Sequence, residues 1–219
     1  MNPKRQLLID TALNLFYKNG INSIGINEVI SVSGIAKRTL YSHFESKEAL
    51  ILAALQKRHE IFTFWLEQKL SGSQSNQEVI HRLFSALANW FQNKESMLGD
   101  FRGCFFINTS AEFSDINSEI FRFCNLHKEH VRQIISSHLK SGDGSLLDAI
   151  CIMKEGAIVT AHMSGDGKEI TSKCIEMLKK FECYARLRGW QRITTKLKHN
   201  NHNHHGSMGL ETQRVDSPS

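Results

Sequence analysis

Apolar residues recur at intervals of three and four along most of this chain, which is the spacing of one face of an α-helix. The first such stripe consists of Leu8, Ala12, Leu15 and Phe16. It predicts a helix from about Pro3 to Asn19, with Asn2 as its N-cap and Gly20 at its end. The same reasoning places the remaining helices at about 26–33, 35–44, 47–70, 76–93, 104–113, 115–141, 146–163 and 168–189, with Ser46, Ser75 and Ser145 among their N-caps.

The fold class follows from this pattern. No segment combines strict apolar-polar alternation with many β-branched residues, so few or no strands are expected. The two prolines, Pro3 and Pro218, lie near the ends and leave the rest of the chain free for long helices. We therefore predict an all-α protein of about nine helices.

Composition narrows the functional classes. The net charge of +5 and the pI of about 9.0 suit a phosphate-bearing partner without proving one. Five scattered cysteines without a CxxC pair indicate reduced thiols. No apolar run approaches the roughly 20 residues that span a bilayer, and no signal peptide is evident, so we expect a cytoplasmic protein without a membrane partner.

The segment from Gly20 to Leu52 carries the clearest functional signal. Two short helices flank Gly34, and Leu40 and Phe44 fall on the inner side of the second one. A helix-turn-helix buries one side of its second helix in this way and presents the other side to base edges in the major groove of DNA. The predicted DNA-facing residues are Lys37, Arg38, Thr39, Tyr41, Ser42, His43 and Lys47.

This segment, SVSGIAKRTLYSHFESKEAL, resembles the helix pair that ends the DNA-binding domain of the TetR family of repressors. The resemblance covers about Gln6 to Leu55, and its matching positions are Gly34, Lys37, Thr39, Leu40, Tyr41, His43, Phe44, Lys47 and Leu50. It implies a helical homodimer that binds a double-stranded DNA operator. Ala36 stands where the family commonly has serine, so a side-chain cap is missing at the start of the second helix.

Together the pattern and the resemblance predict three regions. Residues 1–46 form a three-helix helix-turn-helix DNA-binding domain, and residues 47–198 form a helical ligand-binding and dimerisation domain. Residues 199–219 are polar and histidine-rich, lack periodicity and are expected to be disordered. We expect no metal site, since the tail histidines have no fixed geometry. We also expect no cofactor.

The body is rich in aromatic residues, with ten of the thirteen phenylalanines between Phe62 and Phe123. Such walls suit an apolar or aromatic effector bound between helices, although plain core packing explains any single residue equally well. The candidate ligand-binding residues are Phe62, Trp65, Phe84, Phe105, Asn108, Thr109, Glu112, Phe113 and His162. Cys104, near Arg102 and a helix N-terminus, is a candidate redox sensor because both neighbours favour a thiolate; an inert buried thiol is the alternative.

The last two predicted helices carry long apolar faces, which the resemblance assigns to the dimer interface; burial within one protomer is the alternative. On the eighth helix this face consists of Leu146, Leu147, Ile150, Met153, Ala157 and Ala161.

These observations favour a transcriptional repressor that releases a palindromic operator when it binds a small molecule. One alternative has oxidation or electrophile modification of Cys104 as the trigger, and another is a DNA-binding protein without an effector. An enzyme is disfavoured because no catalytic constellation is evident and histidines such as His127, His130 and His138 lack an obvious carboxylate partner.

Overall fold

The computed structural model describes residues 2–140 and 144–184, and it is all-α within these ranges. Eight helices have both ends in the described part: α1 Pro3–Asn19, α2 Ile26–Ser33, α3 Lys37–His43, α4 Lys47–Leu70, α5 Asn76–Phe91, α6 Phe105–Glu112, α7 Glu119–His138 and α8 Ser145–Ser164. A ninth helix, α9, begins at residue 167 and is described as far as residue 184. The predicted end of this helix at Gly189 and the predicted disordered tail lie outside the described residues.

Three of the four side-chain N-caps predicted from the sequence, Asn2, Ser46 and Ser75, are confirmed by hydrogen bonds. The Asn2 carboxamide oxygen accepts the backbone N–H groups of Lys4 and Arg5, and the Ser75 hydroxyl accepts that of Glu78. Two predicted boundaries were wrong. Helix α7 begins after the Ser118 cap rather than near Asp115, and it ends at His138 rather than at Ser141.

Helix α8 also starts differently from the prediction. Its N-cap is Gly144, with a φ of 63°, and Ser145 is already the first helical residue. A left-handed backbone at this position is accessible to glycine at little cost, so backbone geometry and not a serine hydroxyl sets the start of the helix.

One continuous hydrophobic core joins the first three helices to the rest of the described structure up to Leu178. Helix α4 is the element they share, because it packs against both α1 and α7. The aromatic centre of the body is formed by Phe62, Trp65 and Trp90, whose ring centroids lie between 5.2 and 6.3 Å apart. No helix in the described part of the chain is both long and apolar enough to cross a bilayer.

The apolar face predicted for dimerisation on α8 is largely internal. Ile150, Ala157 and Ala161 are buried within the protomer. For these residues the alternative sequence interpretation, burial within one protomer, is therefore correct. A different apolar stripe of α8 faces outward, with Ile152 72%, Val159 43% and Met163 81% exposed. Since these positions are seven and four residues apart, they share one face of the helix.

Candidate nucleic-acid interface and body cavity

The helix-turn-helix is built around a tight turn between α2 and α3. Gly34 adopts a left-handed conformation with a φ of 69° and ends α2, its N–H donating to the Ile30 carbonyl. Helix α3 then starts at Lys37, and its N-cap Ala36 provides no side-chain hydrogen bond, as the missing serine predicted. Leu40 is fully buried on its inner side, and Val29, Ile35 and Phe44 complete the apolar contact surface. The packing predicted for this helix is therefore confirmed.

The opposite face of α3 points outward. Lys37, Arg38, Tyr41 and Ser42 are exposed, and Thr39 and His43 are half-buried at its edges. The Ser42 hydroxyl donates to the Thr39 carbonyl at 2.7 Å, which leaves its oxygen free to accept a hydrogen bond. The face therefore offers two cations and several hydroxyl groups, the donor set used for phosphates and base edges.

Two cations at the borders of this face also have structural contacts. The Lys47 ammonium donates to the Ile21 carbonyl at 3.0 Å and so ties the start of α4 to the turn between α1 and α2. The guanidinium of Arg5 lies over the Phe44 ring at 5.0 Å from its centroid. Arg5 was not among the predicted DNA-facing residues, because only the packing of α1 beside α3 brings it there.

The residues predicted to line a ligand pocket are dispersed. Trp65, Phe84 and Thr109 are buried in the core, and Phe113 is half-buried at the end of α6. The Asn108 amide donates to the Arg102 carbonyl, which stabilises the segment leading into α6. His162 is exposed on α8, with its ring edge towards Phe101.

Phe62 and Phe105 are the two predicted pocket residues that line an internal cavity of about 10 Å³, room for about one water molecule. Polar and charged side chains form much of its remaining wall, and the full lining is Arg58, Phe62, Trp90, Cys104, Phe105, Phe106, His127, Lys128, Lys154 and Ile158. A second cavity of about 170 Å³, between α6 and α7, shares Phe106 and Lys128 with the first.

Three cations from three helices meet at the smaller cavity. Lys128 donates to Cys104 Sγ at 3.2 Å and to the Glu155 carboxylate at 2.7 Å. The same carboxylate pairs with Lys154. Burial would raise the pKa of Glu155, but the two lysines outweigh it and hold the pKa below its usual value. Burial, together with the charge of Lys128, lowers the pKa of Lys154.

Arg58, the third cation, is 5% exposed. Its Nη1 donates to the Leu98 carbonyl at 2.7 Å, and the guanidinium lies 4.7 Å from the centroid of the Tyr17 ring. Its Nη2 is buried and has no hydrogen-bond partner among the residues that the structure describes, and the same holds for the indole Nε1 of Trp90. Two hydrogen-bond donors at this cavity are therefore unused.

A chain of histidines lies beside the cavity. His59 contacts His127 and His130 through its two ring nitrogens, at 3.0 Å in each case. His127 also stacks on Phe106 at 3.5 Å between ring centroids, and burial lowers its pKa below the usual value. His138 does have a carboxylate partner, Glu67 at 2.8 Å, which corrects the sequence interpretation. In the described part of the chain, no cluster of His, Cys, Asp or Glu is arranged to hold a metal.

Two side chains connect the DNA-binding helices to α6. The Tyr17 hydroxyl donates to the Gly103 carbonyl at 2.8 Å and accepts the Arg102 N–H at 3.0 Å. The Glu112 carboxylate accepts the N–H groups of Ile21 and Asn22 at 2.9 and 2.7 Å. Glu112, predicted as a ligand contact, thus binds the turn between α1 and α2.

An all-helical chain with an exposed basic α3, a glycine turn and a shared α4 has the architecture of a helix-turn-helix regulator. Comparison with known proteins agrees, because residues 8–54 match the model for bacterial regulatory proteins of the tetR family. Residues 8–54 therefore form a DNA-binding segment of the tetR family type.

Similar proteins extend this likeness beyond the helix-turn-helix. The transcriptional repressor ComR of Escherichia coli K12 is 28% identical over 117 residues, which cover 53% of this chain and 54% of ComR. The chain thus spans about half the length of this curated relative.

Two solved structures share the fold. SCO4454, a TetR-family regulator of Streptomyces coelicolor, has a TM-score of 0.72 at 22% identity, covering 83% of this chain and 95% of its own. The reduced form of NemR from E. coli has a TM-score of 0.66 at 20% identity, covering 81% and 96%.

Proposed function

We propose that this protein is a repressor that binds a palindromic DNA operator as a homodimer and releases it when a small molecule enters the body. The observation that carries the proposal is the two-sided character of α3. Leu40 is buried against the core, while Lys37, Arg38 and Tyr41 on the opposite face are exposed. A helix in this position can enter the major groove without unfolding any part of the core.

The homodimer would form through the outward stripe of α8 together with α9. Ile152, Val159 and Met163 are costly to leave in water, and Met177 on α9 is a further exposed apolar residue. Gly156, also exposed, lies between Ile152 and Val159 and lets a second helix approach closely. A two-fold axis at such an interface would place the two α3 helices on half-sites related by the same symmetry.

Release of the operator would depend on movement of α4 and α6. Helix α4 carries Arg58 and Phe62 at the cavity, and it begins with Lys47, which binds the turn after α1. Helix α6 carries Phe105 and Phe106 at the cavity and Glu112 at the same turn. A ligand that moves either helix would change the position of α3 and so create a second conformation of the protein. The ligand shifts the protein population away from the DNA-binding conformation only if it binds this second conformation more tightly.

The test is operator binding by an Arg38→Ala variant, with the operator obtained by selection from random DNA. A bidentate guanine contact is worth about 1–3 kcal/mol, so we expect operator affinity to fall about 5- to 150-fold with the dimer intact. Arg122→Ala, an exposed arginine on α7, is the matched control and should bind as the parent does. Unchanged sequence preference in Arg38→Ala would contradict the proposal.

Chemical modification of Cys104 is a second candidate trigger. Its sulfur accepts a hydrogen bond from the Lys128 ammonium at 3.2 Å. Cys124 is the natural control, since burial raises its pKa to about 12. If modification is the trigger, N-ethylmaleimide should release operator from the parent and from Cys124→Ser but not from Cys104→Ser. Equal release from all three would exclude Cys104.

A further inference from the structure

We infer that the smaller cavity is the effector site and that it takes a small organic carboxylate, with the acid group held by Arg58, Lys154 and Trp90. The inference rests on the proposed function for the effector role, and it departs from the apolar effector that the aromatic content of the sequence suggested.

Among the described residues, the positive charges around the cavity outnumber the carboxylates paired with them. Arg58, Lys128 and Lys154 supply three positive charges, and Glu155 is the one carboxylate that the structure pairs with either lysine. Burying cations costs several kcal/mol each unless opposite charges and hydrogen bonds compensate. Arg58 has no carboxylate partner among its described contacts and depends on the Leu98 carbonyl and two aromatic faces. An anion in the cavity would supply the missing charge.

The two unused hydrogen-bond donors indicate which chemical group of the ligand binds here. Arg58 Nη2 and Trp90 Nε1 are both buried without a partner in the described ranges 2–140 and 144–184, and both residues line the cavity. A carboxylate has two oxygens that accept several hydrogen bonds, so it can satisfy an arginine N–H and an indole N–H together. A neutral amide keeps only one acceptor oxygen and brings two donors towards a site that already has too many.

Aromatic side chains of the cavity can contact the apolar part of the ligand. Phe62, Phe105 and Phe106 form part of the remaining wall, and the 170 Å³ cavity also contacts Phe106 and Lys128. The inner cavity of about 10 Å³ is smaller than any organic acid, so binding must move at least one of the helices that line it, and α6 is among them. Since α6 also carries Glu112, which holds the turn between α1 and α2, occupation of the cavity is coupled to the DNA-binding helices.

The experiment measures thermal unfolding of the full chain with butyrate and benzoate, each compared with its amide, and with sodium chloride at equal ionic strength. At a hundredfold excess over Kd, each carboxylate should raise Tm by about 5–10 °C, while the amides and chloride should not. Lys154→Met and Arg58→Lys should weaken carboxylate binding at least about tenfold. Lys168→Met, an exposed lysine on α9, should bind as the parent does.

Operator binding is measured on the same samples, so the two proposals fail separately. If neither carboxylate raises Tm, or if the amides or chloride raise it equally, the carboxylate site is wrong even when Arg38-dependent operator binding is found. If carboxylates bind through Lys154 but leave operator affinity unchanged, their role as the effector is wrong. The comparison of acid with amide needs no variant, so it remains decisive if Lys154→Met and Arg58→Lys do not fold.

Discussion

Replacing Glu112 by alanine should loosen the connection between α6 and the DNA-binding helices by an amount that the structure allows us to estimate. Its carboxylate accepts two backbone N–H groups, at 2.9 Å from Ile21 and 2.7 Å from Asn22. A net contribution of about 1.5–3 kcal/mol is typical for a hydrogen bond to a charged group. Asn22 is exposed and can turn to water, whereas Ile21 is fully buried and its N–H would lose its partner.

We therefore expect Glu112→Ala to lower the free energy of unfolding by about 2–4 kcal/mol, with the larger share from the Ile21 N–H. For a urea m-value of about 2–3 kcal/mol/M, the unfolding midpoint falls by about 1 M. Glu112→Gln retains one acceptor oxygen and should lose about half as much.

Urea unfolding monitored by circular dichroism, at one protein concentration for all variants, measures this effect. Hydrogen exchange of the Ile21 and Asn22 amides reports the same contact locally and should accelerate in Glu112→Ala. Glu129→Ala, an exposed glutamate on α7, is the control and should change stability by less than about 0.5 kcal/mol. A Glu112→Ala variant as stable as this control, with unchanged protection of the two amides, would refute the reasoning.

Two further predictions concern pH and assembly. The folded protein holds His127 neutral with a lowered pKa, so the unfolded chain binds one more proton than the folded chain below about pH 6.5. The free energy of unfolding should therefore fall by up to about 1.4 kcal/mol per pH unit as the pH drops below this value. His127→Gln should flatten this slope in urea titrations at pH 5–7. An unchanged slope would show that His127 is not the group responsible. Val159→Asp should convert the dimer to monomer in sedimentation velocity, while Gln133→Asp, at an exposed position on α7, serves as the control; a dimeric Val159→Asp would exclude the outward stripe of α8 as the interface.

The helix-turn-helix could be predicted from sequence because its determinants are local. A glycine turn, a short helix and the burial of Leu40 lie within a few residues of one another, and helical periodicity fixes which side chains point outward. The sequence also predicted the missing cap at Ala36. Arg5 was missed because its place beside Phe44 depends on how α1 packs.

The cavity could not be predicted in the same way, because its charged residues come from helices far apart in sequence. Periodicity shows which face of a helix is buried but not which other helix it meets. One signal was available: Lys154 falls within the stripe of Ile150, Ala157 and Ala161, where a lysine is unexpected. Arg58 lies in the same way among the buried positions of α4. A charge inside an apolar stripe is a better guide to the site than the number of aromatic residues.

The shared helix α4 limits how this regulator can be recombined with others. A graft that joins its DNA-binding helices to a foreign body must cut within the 24 residues of α4, since the tetR family match runs to residue 54 and the cavity begins at Arg58. Inserting or deleting one residue at that junction would rotate everything downstream by about 100°. Chimaeras should therefore tolerate many sequence changes at the junction but no change in its length.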